Sequence, residues 1–136
     1  MAKIPNIVVD TNTFVSTIIG EFSIPAKAVE AAIVSDTLLR SIDTWNELEG
    51  VLMRNKFDRY QAADVRRAFL DFLDLAMESI SVHTTLAVSR DPKDDKFLEL
   101  AIDGHADMII TGDNDLLTLH PFRGVHIITP ADYLAL

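Results

Sequence analysis

The stretch Ile7-Val-Val-Asp-Thr-Asn-Thr-Phe14 begins the pattern from which the fold of this chain can be predicted. It opens with three β-branched residues, and the apolar residues that follow recur at helical spacing as far as Ile19. We therefore predict a strand over residues 7–9 and a helix over residues 11–19. Asp10 then lies at the carboxyl end of the strand.

Short apolar runs continue to alternate with longer helical patterns along the chain. This alternation predicts βαβ units and hence an α/β fold, with a parallel sheet covered by helices on both faces. Ligands of such sheets bind beyond the carboxyl ends of the strands. Asp43 or Thr44 is the predicted cap of the third helix. We predict further strands at residues 38–42, 80–82, 108–110 and 125–128, and helices at 25–35, 45–55, 60–77 and 92–102, near Leu116 and from Pro130.

The composition indicates one globular domain over residues 1–136. Of the 136 residues, 49% are hydrophobic and 24% are charged, as in average globular proteins. The chain has no cysteine, which excludes disulfides, thiolate zinc sites and cysteine nucleophiles, so any metal must be held by oxygen or histidine. No signal-peptide core and no apolar run near the roughly 18 residues of a membrane helix occur, so we expect a cytoplasmic protein without a membrane partner.

The charge is unevenly distributed along the chain. The formal net charge of −9 opposes non-specific binding to nucleic acid, yet residues 54–67 carry a net charge of +3 and residues 91–115 one of −6. The basic stretch is most simply a solvated helix face, and the alternative is contact of Arg54, Lys56 and Arg59 with a phosphate backbone. The histidines lack zinc-site spacing, and no phosphate-binding glycine loop or nucleophile elbow is present.

Four acidic residues form a candidate site: Asp10, Glu47, Asp95 and Asp113. Several carboxylates in one pocket repel one another, so their clustering implies a bound divalent cation. Oxygen ligands at the edge of a parallel sheet suit Mg²⁺ or Mn²⁺, which also bind phosphate oxygens. The pattern therefore indicates phosphodiester chemistry.

Each of these acidic residues also has a structural interpretation. Asp10 could be a turn or cap residue. Glu47 and Glu49 lie on opposite edges of one apolar helical stripe, so the periodicity does not choose between them. Asp113 or Asp115 could cap the helix near Leu116.

The acidic residues after Arg90 present the same choice. Asp91 and Asp94 are explained as caps of the helix that begins at Pro92, which leaves Asp95 without a capping role. We therefore favour Asp95 as the functional residue of this segment.

The acidic segments together resemble the motifs of the PIN-domain nucleases, above all the toxin components of bacterial and archaeal toxin–antitoxin pairs. The resemblance extends over nearly the whole chain, and four motifs in order are specific where any single one is weak. The matching segments are Ile7-Val-Val-Asp-Thr-Asn12, Glu47-Leu48, Asp91-Pro-Lys-Asp-Asp-Lys-Phe-Leu-Glu-Leu-Ala101, Ala106-Asp-Met-Ile-Ile-Thr-Gly-Asp-Asn-Asp-Leu-Leu117 and Ile127-Ile-Thr-Pro-Ala131.

This resemblance implies a Mg²⁺- or Mn²⁺-dependent endoribonuclease with a sheet in the order 3-2-1-4-5. The implied metal ligands are Asp10, Glu47, Asp95 and Asp113, with Asp94 as the alternative in the third motif. Asn12, Thr111 and Asp115 are implied as supporting polar groups. The resemblance further implies an antitoxin partner, a homodimer, and a docking region for such partners within residues 45–77.

Two other functions are compatible with the sequence. One is an RNA- or protein-binding module without turnover. The other is a phosphatase of the haloacid-dehalogenase type, because Asp10-Thr-Asn-Thr13 and Gly112-Asp-Asn-Asp115 faintly resemble its first and last motifs. That phosphatase family has Asp where Asn12 stands, and a short chain leaves little room for its cap domain.

Overall fold

A computed structural model describes residues 3–136 of the chain. It confirms an α/β fold with a five-stranded parallel sheet in the order β3-β2-β1-β4-β5. The strands are β1 (Asn6–Val9), β2 (Thr37–Arg40), β3 (Glu78–Ser79), β4 (Met108–Ile110) and β5 (His126–Ile128). The helices are α1 (Thr11–Ile19), α2 (Ile24–Ser35), α3 (Ile42–Leu52), α4 (Ala63–Ala76), α5 (Asp95–Asp103), α6 (Asn114–Leu117) and α7 (Pro130–Leu134), with 3₁₀ turns at Asn55–Phe57 and Pro92–Asp94.

Alternate side chains of the central strand divide the core into two layers. Ile7 and Val9 of β1 pack with apolar residues of α1 to α4 on one face of the sheet. Val8 packs with residues of α5 and α6 on the other face. This period of two along a strand that is buried on both faces explains why β1 is a continuous apolar run.

Among the predicted boundaries that differ from the structure, two lie at the carboxyl edge of the sheet. The cap of α3 is Ser41, whose hydroxyl accepts from the backbone N–H of Thr44 at 3.1 Å, so β2 ends earlier than predicted. The third strand is Glu78–Ser79 rather than residues 80–82. Ile80 still donates to the carbonyl of Arg40 at 2.8 Å, but it and Val82 then pack against the α5 layer instead of extending the strand.

Three carboxylates of α5 hold the extended segment that follows β3. Asp95, Glu99 and Asp103 are spaced four residues apart, so they lie along one side of the helix. We call this set the carboxylate ladder. Its members accept the backbone N–H groups that the carbonyls of a neighbouring strand would otherwise bind. The segment that they hold leads directly to Arg90. Asp103 accepts from the N–H groups of His83 and Thr84, Glu99 accepts from that of Leu86, and Asp95 accepts from those of Val88 and Ser89.

Within residues 3–136, none of the helices has the length and apolar character needed to cross a membrane.

Candidate active site

Asp10 lines a cleft beyond the carboxyl ends of β1 and β4, and it is only 4% exposed. One carboxylate oxygen caps α1 by accepting from the backbone N–H of Thr13 at 2.9 Å. The other accepts from the hydroxyl of Thr111 at 2.5 Å. Burial raises the pKa of Asp10 above its usual value, and these hydrogen bonds oppose the rise. Neutral donors therefore hold this carboxylate in one orientation.

Asp113 reaches the same cleft from the carboxyl end of β4. Its backbone N–H donates to the Thr111 hydroxyl oxygen at 2.9 Å, so Thr111 links the strand ends that carry Asp10 and Asp113. One carboxylate oxygen of Asp113 also accepts from the N–H of Asp115 at 2.9 Å and caps α6. Asp113 thus serves as a cap while its side chain lines the cleft.

Asp94 lines the cleft and Asp95 does not, although Asp95 is the residue favoured from the sequence. Carboxylate oxygens of Asp94, Asp113 and Asp115 lie within 4.8 Å of one another. Asp95 is buried, and its Oδ1 accepts from the N–H groups of Val88 and Ser89 at 3.1 and 2.8 Å as part of the carboxylate ladder.

The reason for this difference lies in the first turn after Asp91. The sequence pattern suggested that an α-helix begins at Pro92 and that Asp94 helps to cap it. Instead Pro92–Asp94 form a 3₁₀ turn and α5 begins at Asp95. A 3₁₀ turn advances by about 120° per residue rather than about 100°, so it changes which acidic residue faces the cleft.

The carboxylate of Asp94 lies among like charges. Partial burial, followed by the neighbouring carboxylates of Asp113, Asp91 and Asp10, raises the pKa of Asp94 to about 7. Within the described part of the chain, its Oδ2 is buried without a hydrogen-bond partner. A cation bound here would satisfy this oxygen and remove the repulsion.

Glu47 of α3 lines the cleft, whereas Glu49 lies outside it. One carboxylate oxygen of Glu47 accepts from the ammonium of Lys96 at 2.9 Å, and the other accepts from the hydroxyl of Thr11. Glu49 instead pairs with Arg67 at 3.0 Å. Lys96, which the sequence did not single out, thus neutralises Glu47 and orients it towards the cleft.

Two basic residues line the acidic cleft: Arg54 and Lys93. Arg54 was predicted as a phosphate contact, whereas Lys93 was missed, although it stands between Asp91 and Asp94 in the same motif. The other predicted basic residues, Lys56 and Arg59, are exposed on the turn after Arg54. Their cationic groups lie over the rings of Phe57 and Tyr60, at 5.2 and 5.1 Å from the centroids.

Arg66 does not belong to the exposed basic face. Its side chain is fully buried, pairs with Asp58, and donates to the carbonyls of Leu52, Arg54 and Gln61 at 2.7, 3.0 and 3.0 Å. Arg66 therefore anchors the turn that presents Arg54 beside the cleft.

The remaining predicted supporting residues lie at the edges of the site. Asn12 is exposed in the first turn of α1 and lines the cleft. Asp115 belongs to the carboxylate cluster and lies 4.0 Å from Nη1 of Arg90.

The donor set of the cleft fits a divalent cation. The cleft has a volume of about 250 Å³, and its acidic lining consists of carboxylates from four separate parts of the chain. Oxygen-only ligands suit Mg²⁺ or Mn²⁺ and disfavour softer metals. The unpartnered oxygen of Asp94 agrees with this chemistry, and the raised pKa of Asp94 follows from the same burial and from the neighbouring carboxylates.

Comparison with known proteins identifies relatives of both the sequence and the fold. The sequence model described as "PIN domain" matches residues 6–115. The protein MJ1680 of Methanocaldococcus jannaschii, itself uncharacterised, is 35% identical over 121 residues, which cover 83% of this chain and 74% of that protein.

Solved structures with the same fold include two toxin–antitoxin complexes. VapBC2 of Rickettsia felis, bound to a DNA fragment from its promoter, has a TM-score of 0.61 at 14% identity and covers 91% of this chain and 98% of its own. DNA-bound VapBC of Salmonella typhimurium has a TM-score of 0.60 at 16% identity, with coverage of 93% and 99%. PAE2754 of Pyrobaculum aerophilum has a TM-score of 0.60 at 14% identity, with coverage of 97% and 91%.

The family match extends from β1 into α6 and so includes every acidic residue of the cleft. The chain therefore belongs to the PIN-domain family, whose members are generally nucleases that use divalent metals.

Proposed function

We propose that this protein is a Mg²⁺- or Mn²⁺-dependent endoribonuclease that hydrolyses phosphodiester bonds in single-stranded RNA. One observation carries the proposal: Asp10, Asp94 and Asp113 meet in one cleft beyond the carboxyl ends of β1 and β4. Basic residues at the same cleft supply the charge that an RNA backbone requires, since the acidic cluster alone would repel it.

The side chains of the cleft have distinct roles in this proposal. Asp10, Asp94 and Asp113 hold the cation, with Glu47 and Asp115 beside them. The bound ion would lower the pKa of an attacking water and neutralise charge on the phosphoryl group. Thr111 fixes the position of Asp10 relative to the backbone of Asp113, because its hydroxyl donates to Asp10 and accepts from the N–H of Asp113.

The other polar residues of the cleft act on the substrate or on these ligands. Lys96 orients Glu47 through their 2.9 Å contact. Arg54 and Lys93 contact the phosphates on either side of the scissile bond, and Lys56 and Arg59 extend this basic track over the neighbouring turn. Asn12 contributes an amide at the rim of the cleft.

We also propose that the protein is the cytoplasmic toxin of a toxin–antitoxin pair and forms a homodimer. The fold shared with a chain of each VapBC complex supports an antitoxin partner. The region predicted for partner docking, residues 45–77, includes α4, which leaves Val65, Phe72 and Leu75 exposed at 49%, 49% and 89%. Apolar side chains clustered on one helix face are typical of protein interfaces.

Cleavage of a pooled single-stranded RNA by the purified protein tests the ribonuclease activity. Reactions contain Mn²⁺, Mg²⁺ or EDTA, and Asp94→Asn is purified identically as a control for contaminating nucleases. We expect cleavage that requires a divalent ion and Asp94. Equal behaviour of wild type and variant under every ion would contradict the ribonuclease and favour a binding module without turnover.

A further inference from the structure

A second cavity opens at the same edge of the sheet as the cleft. It has a volume of about 680 Å³ and lies beyond the carboxyl ends of β2 and β3. Its walls come from Arg40 and from the segments that follow these two strands, residues 41–46 and 79–82, together with Asp74 of α4. A cavity of this size can hold a small molecule or one unit of a polymer.

The guanidinium of Arg40 and the ring of Trp45 are stacked on each other in this cavity. The guanidinium of Arg40 lies 4.3 Å from the centroid of the Trp45 ring. Asp74 binds the guanidinium at 2.6 Å, and the hydroxyl of Ser79 accepts from its Nε at 3.1 Å. Aromatic rings and immobilised guanidinium planes are the surfaces on which unpaired bases stack.

The charges of the cavity favour a base over a phosphate. Asp74 neutralises Arg40, and Asp43 adds another negative charge to the lining, which therefore repels an anion. Asp43 is exposed near the start of α3, and its carboxylate offers only oxygen acceptors. Adenine, cytosine and guanine each carry an exocyclic amino group that can donate to such acceptors, whereas uracil carries none.

The cavity is adjacent to the cleft. Between them lies a small internal void of about 10 Å³, lined by Arg40 and Trp45 of the cavity and by Thr11 and Phe97 of the cleft. The two spaces lie beyond neighbouring strand pairs in the order β3-β2-β1-β4, with strands about 4.8 Å apart. One RNA strand that runs along this edge can reach both.

We propose that this cavity, which we call the base pocket, binds an amino-bearing nucleobase of the RNA strand whose backbone crosses the cleft. The inference rests on the proposed ribonuclease function and adds a specificity site to it. The base stacks on the exposed face of the Arg40–Trp45 stack, and its amino group donates to the carboxylate of Asp43. Cleavage sites are then selected by a base next to the scissile bond.

Trp45 is the single tryptophan of the chain, so its fluorescence reports directly on the base pocket. The protein is titrated in EDTA with short oligomers of adenylate, cytidylate and uridylate. We expect saturable quenching by the adenylate and cytidylate oligomers, and affinity at least tenfold weaker for uridylate. Chelation of the metal separates base binding from cleavage.

Matched variants identify the groups responsible. Arg40→Lys retains the charge but loses the plane, and it should weaken binding about tenfold. Arg123→Lys is the control, because Arg123 lies over the Phe122 ring before β5, at the opposite edge of the sheet. Asp43→Ala, at an exposed helical position, should reduce the preference for cytidylate over uridylate even if Arg40→Lys does not fold.

The outcomes distinguish the base pocket from the ribonuclease. Metal-dependent cleavage without quenching by any oligomer would overturn the base pocket and leave the ribonuclease standing. Quenching that is equal for all three oligomers and insensitive to Arg40→Lys would also overturn it. A third outcome is that the wild type and Asp10→Asn both bind the oligomers with the expected selectivity but the wild type cleaves no RNA. That outcome would support the base pocket and contradict the ribonuclease.

Discussion

Replacing Asp95 with alanine and Asp94 with asparagine should change the stability of the metal-free protein in opposite directions. Asp95 is 6% exposed, and its carboxylate accepts two backbone N–H groups, at 3.1 and 2.8 Å. Each hydrogen bond to a charged group contributes roughly 1.5–3 kcal/mol. Because water can reach the N–H of exposed Val88 after the substitution, we take the lower end of this range for both bonds. Asp95→Ala should therefore cost about 3 kcal/mol.

Asp94→Asn has the opposite effect because it removes a charge that Asp113, Asp91 and Asp10 repel. Asp94 is only partly buried, so solvent screening limits the gain to about 1 kcal/mol or less. Asp95→Asn keeps an oxygen acceptor and should cost about 1 kcal/mol, since neutral hydrogen bonds replace charged ones.

Urea unfolding at pH 8 in EDTA measures these differences, and a thermal scan should place the Tm of Asp95→Ala about 10 °C below that of the wild type. Calorimetric titration with Mn²⁺ provides the second measurement, in which Asp94→Asn should lose binding and Asp95→Asn should retain it. The reasoning is refuted if Asp94→Asn is destabilised as much as Asp95→Ala. It is also refuted if Asp95→Asn loses Mn²⁺ binding while Asp94→Asn keeps it.

Three further predictions follow from the packing and the charges. In EDTA, the free energy of unfolding should fall as pH rises from 3.8 to about 7 and then level off. The reason is that, in this range, the folded state keeps a proton on Asp94 that the unfolded state has released. Urea unfolding at a series of pH values should show this fall in the wild type and a smaller fall in Asp94→Asn. Gly104→Ala should destabilise the protein by about 1–3 kcal/mol, since its Cβ would lie 2.6 Å from Cδ1 of Leu39, and an unchanged urea midpoint would contradict this contact. Arg66→Met should cost about 3 kcal/mol of stability, because it leaves buried carbonyls without donors. The control Arg67→Met, on the exposed side of α4, should cost less than about 1 kcal/mol. Equal urea midpoints for the two variants would show that Arg66 is not an anchor.

The fold and the approximate position of the site could be predicted from the sequence. Strands and helices are visible in the period of their apolar residues, because burial on one or both faces acts on every residue of an element. Asp10 follows β1 directly and Asp113 stands three residues after the end of β4, so a parallel sheet places both at its carboxyl edge. The base pocket left no such signal, since Arg40, Trp45 and Asp74 come from separate elements.

The choice among neighbouring acidic residues depended on the tertiary structure. Glu47 and Glu49 are equivalent in the helical period, and only the packing of α3 turns Glu47 towards Lys96. Asp94 and Asp95 are adjacent, and the 3₁₀ turn at Pro92–Asp94 determines which of them faces the cleft.

What the sequence by itself determined, therefore, is the set of elements and the strand ends at which chemistry can occur, because hydrophobic periodicity is a local property of the chain. The tertiary structure alone decided which carboxylates face one another and which bind the backbone. A carboxylate must be paired with a donor or a cation wherever it is buried, and those partners lie on other elements of the fold: Val88 for Asp95, Thr111 for Asp10 and Lys96 for Glu47.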